Sequence, residues 1–200
     1  MVTRTPPKLI GLCAPCMQSG KTTVANRLRG DPQLIRNTIS LWQPVKFAAP
    51  LKAMVDALLG LAGVPIVTRS RMMNGDLKET PIASLGGVTP RRLLQTLGTE
   101  WGRVEMGEDF WVNPAMHAVD SLLDGGYSVV IDDLRFANEA RAIEARGGIL
   151  IRVVRPDAKP YAAHASEGEL DAWAMPEIHN TGTLEDLYRQ ADKLARGELY

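Results

Sequence analysis

A short apolar run, residues 8–13 (KLIGLC), passes through small residues into Ser19-Gly20-Lys21-Thr22-Thr23, and Val24 and Leu28 then recur at helical spacing in TTVANRLR. This reads as a strand, a loop and a helix. Backbone N–H groups at such a turn point toward an anion, so the context is that of a phosphate-binding loop (P-loop). Met17, Gln18, Ser19, Gly20, Lys21, Thr22 and Thr23 are the expected nucleotide-contacting residues. Lys21 is placed to reach β and γ oxygens, and the Thr22 hydroxyl to ligate Mg²⁺. The pattern asks for glycine five places before Gly20, where this chain has Pro15, with Gly11 four residues further back. Proline fixes φ near about −65° and removes an N–H, so the loop entrance differs in shape while its second half is intact. The competing interpretation is a serine N-cap on an ordinary helix.

The rest of the chain alternates. A second strand is expected over 45–48, and a helix from Pro50 carries Leu51, Met54, Val55, Leu58 and Leu59 on one side. Residues 60–88 mix Gly, Pro and charge and read as an exposed excursion. Thr89-Pro90 opens a helix with Leu93, Leu94 and Leu97, which Gly98 is expected to stop. A further helix after Asp109 ends at Gly125-Gly126, and buried strands follow at 127–131 and 149–154 around a helix at 139–146. An amphipathic helix over 184–194 closes the series. Alternating strands and helices with unbroken apolar strands predict an α/β fold, three layers α/β/α around a parallel sheet. One domain over 1–200 is expected, residues 49–125 forming a mostly helical acceptor-binding or lid region.

Lys plus Arg equals Asp plus Glu at 23 each, so no global field draws nucleic acid or anionic lipid. Apolar stretches such as 57–67 are broken by Gly and Pro and fall short of a membrane span, and 9–14 is short for a signal peptide. The expectation is a cytoplasmic protein acting on small molecules, with no nucleic-acid or membrane partner. Cys13 and Cys16 are too few for a secreted framework, but Cys-Ala-Pro-Cys between strand and helix allows a thioredoxin-like redox pair. His117, His164 and His179 show no zinc-ligand spacing.

An acid at the end of a neighbouring buried strand would complete a Mg²⁺ site, and YSVVIDD supplies Asp132 or Asp133. Arg135, two residues on, puts a cation where phosphoryl charge would develop. Arg91, Arg92 and Arg103 gather around one helix and its exit, as an anionic acceptor would require.

The strings SGKTTVA, LQTLGTEWGR (94–103), DFWV (109–112) and VVIDDLRFANEA (129–140) together resemble the phage deoxynucleoside monophosphate kinase family of P-loop kinases. VKFAAPLK (45–52) resembles it too, with Ala49 where an acid is usual, and HASE (164–167) is a weaker match. The resemblance implies transfer of the ATP γ-phosphoryl group to a deoxynucleoside monophosphate, with ATP and Mg²⁺ required, and it leaves a homodimer open. It implies catalytic roles for Lys21, Asp133 and Arg135, and metal contact through Thr22 with Asp132 or Asp133. On the acceptor side it implies Lys46, Phe47, Arg92, Gln95, Thr99, Glu100, Arg103 and Trp111. Arg155, after the last apolar strand, is the expected adenine-side contact. A P-loop kinase of another small acceptor and a nucleotide-gated binding module are the rival functions.

Overall fold

The computed structural model describes residues 6, 8–16, 18–30, 41–157 and 168–199. Met17 and the HASE string, with His164, lie outside them. The chain divides into two compact units, one of residues 1–47 and 115–200 and one of residues 48–114.

The first unit is built on five parallel strands, β1 (Leu9–Cys13), β2 (Trp42–Val45), β3 (Ser128–Ile131), β4 (Ile149–Val154) and β5 (Glu177–His179), in the spatial order β2-β3-β1-β4-β5. Side chains alternate across the sheet, so one face carries Ile10, Leu12, Val130, Ile151, Val153 and Ile178. These pack against Val24, Ala25 and Leu28 of α1 (Lys21–Leu28) and Leu187, Ala191 and Leu194 of α7 (Leu184–Ala195). On the other face Gly11 lies so close to α6 (Ala137–Glu144) that a Cβ would sit 2.7 Å from Ile143 Cδ1. The expected three layers are therefore present.

The second strand runs over Trp42–Val45 rather than 45–48. Pro44 fits inside it because β2 is an edge strand, where a missing N–H costs no ladder bond on the open side. β5 was not expected: it is three residues long and only Ile178 is buried, too little for an alternating signal.

The second unit is helical: α2 (Ala49–Leu61), α3 (Ile66–Asn74), α4 (Pro90–Gln95) and its π-helical continuation Thr96–Glu105. The expected exposed excursion thus contains a helix, α3, which buries Met72 and Met73. Thr89 caps α4 as expected, its hydroxyl accepting from the Arg92 N–H. Gly98 does not stop the helix. Added to Gly98, a Cβ would meet Leu51 Cδ2 at 3.0 Å, and at Gly102 one would fall within 2.7 Å of the Trp111 ring, so both glycines serve close packing. The unit boundary falls in the first turn of α5 (Val112–Asp124).

Candidate active site

In a parallel sheet all strand ends of one kind face one side, and ligands gather beyond the carboxyl ends where neighbouring strands send their chains to opposite faces. Here β1 continues into α1 on one face, while its neighbour β3 leads to α6 on the other. The residues following the strand ends are the 14–20 loop after β1, Lys46 and Phe47 after β2, Asp132 and Asp133 after β3, Arg155 after β4 and Asn180 after β5.

The loop after β1 closes through two left-handed residues, Gln18 at φ 55° and Gly20 at φ 106°, before Lys21 opens α1. No side chain caps α1 and its first turn holds no acid, so the positive end of the helix is not neutralised by its own residues. Ser19 is buried, with 2% of its surface exposed.

Asp132 reaches toward this turn. Its Oδ2 accepts from the Thr22 hydroxyl at 3.4 Å, and its Oδ1 pairs with Lys46 Nζ at 2.6 Å. Asp133 turns elsewhere and accepts the Phe47 backbone N–H at 3.1 Å, tying the exit of β2 to the exit of β3. Of the two acids the sequence left open, Asp132 is therefore the one beside Thr22. Arg135 is exposed, and its backbone N–H, with that of Phe136, donates to the buried Glu139 carboxylate at the start of α6. Thr23 is half-buried on α1.

Two side chains that follow β4 and β5 touch the loop. Arg155 Nη1 donates to the Gln18 carbonyl at 3.3 Å, and Asn180 Nδ2 donates to the Ser19 carbonyl at 2.9 Å. Sequence reasoning missed Asn180, because its partner is a backbone carbonyl that carries no side-chain signal.

Among the described residues no group of three or more His, Cys, Asp or Glu could hold a metal. The Thr22 hydroxyl with the Asp132 carboxylate is a hard-oxygen pair of the kind that suits Mg²⁺, which takes few protein ligands and completes its shell with water and substrate phosphate. The residues present fit the ion. Cys13 and Cys16 are both buried free thiols. Burial pushes the Cys13 thiol up, against the opposing pull of Arg152, and its Sγ lies 3.3 Å from Met175 Sδ. A thioredoxin-like nucleophile needs an accessible thiol in a site that lowers its pKa, and Cys13 is buried in one that raises it.

In the helical unit, α4 and its continuation carry Arg92, Gln95, Thr99, Glu100 and Arg103 on one continuous element. Arg92, Gln95 and Glu100 are exposed, while Thr99 and Arg103 are half-buried. Arg103 Nη1 donates to the Glu108 carbonyl, and Arg91 is paired with Glu79. Trp111 is 4% exposed, donates its indole N–H to the Gly98 carbonyl at 2.8 Å and meets Phe110 edge-on. Phe47, in the first unit, is 3% exposed. Both rings, named above on the acceptor side, are buried.

The parallel sheet, its two helical layers and the glycine turn into α1 define the class: an α/β fold of the P-loop kinase type. Residues 66–191 match the family described as deoxynucleotide monophosphate kinase. A protein of Acanthamoeba polyphaga mimivirus named "Putative deoxynucleotide monophosphate kinase" is 32% identical over 186 residues, covering 86% of this chain and 88% of the relative. The chain belongs to the deoxynucleotide monophosphate kinase family and is an enzyme of nucleotide metabolism. No helix among the described residues is long and apolar enough to cross a membrane.

Proposed function

We propose that the protein transfers the γ-phosphoryl group of ATP to the 5′-phosphate of a deoxynucleoside monophosphate. An acceptor phosphate oxygen attacks the γ-phosphorus, the bond to the β–γ bridging oxygen breaks, and ADP leaves with that oxygen and its electron pair. The observation that carries this reading is the meeting of Thr22 and Asp132 beside the glycine turn. The acceptor is already an anion near neutral pH, so no nucleophilic side chain is needed, and catalysis is alignment and neutralisation of charge.

The loop residues 18–20 and the start of α1 hold the triphosphate through backbone N–H groups. Lys21 neutralises β and γ oxygens, and Arg135 the charge on the transferred group. Thr22 and Asp132 would hold Mg²⁺, which when bound neutralises phosphate charge and fixes the triphosphate geometry. Asp133 acts by fixing the backbone at Phe47. Residues 48–114 are the acceptor-binding region in this reading, with Arg92 and Arg103 for the phosphate and Gln95, Thr99 and Glu100 for the nucleoside. Lys46, in the first unit, pairs with Asp132 at 2.6 Å. In this reading the protein acts in the cytoplasm, on small-molecule substrates.

The test measures ADP release from Mg-ATP with each deoxynucleotide and ribonucleotide monophosphate in turn, products being identified by chromatography. Deoxynucleotide-dependent release with a diphosphate product is expected. Release no faster than with ATP alone, for every acceptor, overturns the acceptor assignment.

A further inference from the structure

Three successive carbonyls at the mouth of the loop are each tied down. The Gln18 oxygen accepts from Arg155 Nη1 at 3.3 Å, the Ser19 oxygen from Asn180 Nδ2 at 2.9 Å, and the Gly20 oxygen from the Val24 N–H at 3.0 Å. In a planar trans peptide the C=O and the following N–H point in opposite directions. Holding the Ser19 carbonyl therefore sets the direction of the Gly20 N–H, and holding the Gln18 carbonyl sets that of the Ser19 N–H. A carbonyl rotated the other way would put a negative dipole where an anion has to sit.

We propose that Asn180 is a positioning residue for polyphosphate binding: its side-chain amide holds the Ser19 carbonyl outward and so keeps the Gly20 N–H aimed at phosphate. The contact is tight, since a Cβ on Gly20 would fall 2.8 Å from Asn180 Nδ2. Ser19 is buried and Asn180 half-buried, and a buried carbonyl left without its donor carries a desolvation cost. The brace also answers the Pro15 departure. A loop lacking its first glycine and one N–H at its entrance has its second half fixed from outside, by residues that follow β4 and β5. Asn180 itself is anchored independently, its backbone N–H donating to the Val154 carbonyl at 2.8 Å, which every side-chain variant retains.

The inference deepens the proposed kinase reading, and its test needs no acceptor. Binding of Mg-ATP, inorganic tripolyphosphate and adenosine is measured by calorimetry for the wild type, Asn180→Ala and the isosteric Asn180→Asp. Asn180→Ala is expected to weaken ATP and tripolyphosphate by the same factor, about tenfold, corresponding to about 1.4 kcal/mol, and to leave adenosine unchanged. Asn180→Asp is expected to lose more near pH 7, where a carboxylate faces the carbonyl. Its affinity relative to wild type should recover as the pH falls to about 4 and the carboxyl regains an O–H donor. Unchanged tripolyphosphate binding in Asn180→Ala, or an equal loss on adenosine, overturns the inference while leaving the kinase reading in place. A wild-type chain that binds neither ATP nor tripolyphosphate overturns both.

Discussion

Replacing Gly102 with alanine sets two backbone preferences against each other, and the geometry decides between them. In an exposed helix the change would stabilise by about 1 kcal/mol. At this position the added Cβ would fall 2.6 Å from Trp111 Cε2 and 2.7 Å from Cζ2, with Nε1 nearer still. The ring has little room to withdraw. It meets Phe110 edge-on at 4.8 Å, lies 6.2 Å from Trp101, and donates to the Gly98 carbonyl at 2.8 Å. Overpacking of this kind costs about 1–3 kcal/mol, and an indole N–H displaced from its acceptor while buried costs about 1–3 kcal/mol more. Set against the propensity gain, the net loss is about 3 kcal/mol, or a fall in Tm of about 6–12 °C for a chain of this length. Urea unfolding followed by tryptophan fluorescence measures it. Gly98→Ala is the internal control: its Cβ would meet only the movable end of Leu51, at 3.0 Å, so overpacking and propensity nearly cancel and stability should stay within about 1 kcal/mol. Equal stability of Gly102→Ala and wild type would refute the assignment of Gly102 as a contact glycine.

Lys21→Ala should abolish phosphoryl transfer while leaving circular dichroism and Tm unchanged, and normal turnover would remove Lys21 from the site. Asp132→Asn should lower kcat by about 10²–10³-fold and raise the Mg²⁺ concentration needed, whereas Asp133→Asn should chiefly lower Tm because its partner is the Phe47 N–H; the reverse pattern would exchange the two acids. Asp186 is held down at about 2 from 3.8, first by the Thr183 hydroxyl and backbone N–H and then by Arg189. A depressed carboxyl contributes stability above its ordinary range that is lost as the pH falls toward 2, so Thr183→Ala should flatten the loss of Tm between about pH 4 and pH 2, and an unchanged acid slope would count against the cap.

Three strands were legible because they are apolar runs, as at 149–154 where only Arg152 interrupts, and α7 because Leu184, Leu187, Ala191 and Leu194 keep a helical period. β5 was hidden because one buried isoleucine between two exposed residues has no period. α3 was hidden because its buried side chains, Met72 and Met73, are adjacent, while the apolar pair that opens it, Ile66 and Val67, is exposed. Gly98 was misread because glycine's role as a stop and its role as a contact surface look alike in sequence. In the site, Lys21, Thr22 and the acid pair were visible as types at a spacing. Which acid faces Thr22 was not, since consecutive residues leaving a strand point in different directions. Asn180 is joined to Ser19 across 161 positions through a backbone atom, which no local pattern marks.

That separation bears on when the protein becomes competent during synthesis. The glycine turn is made before the groups that hold its carbonyls, which come 137 and 161 positions later. A chain made from its N-terminus carries the turn long before anything can fix it, and non-local contacts of this length form late because loop closure precedes their reward. On the proposal above, nucleotide affinity reports completion of the sheet as far as its last strand: a nascent chain that stops before β5 retains every residue of the turn, and Arg155 with it, but lacks the Asn180 amide that holds the Ser19 carbonyl.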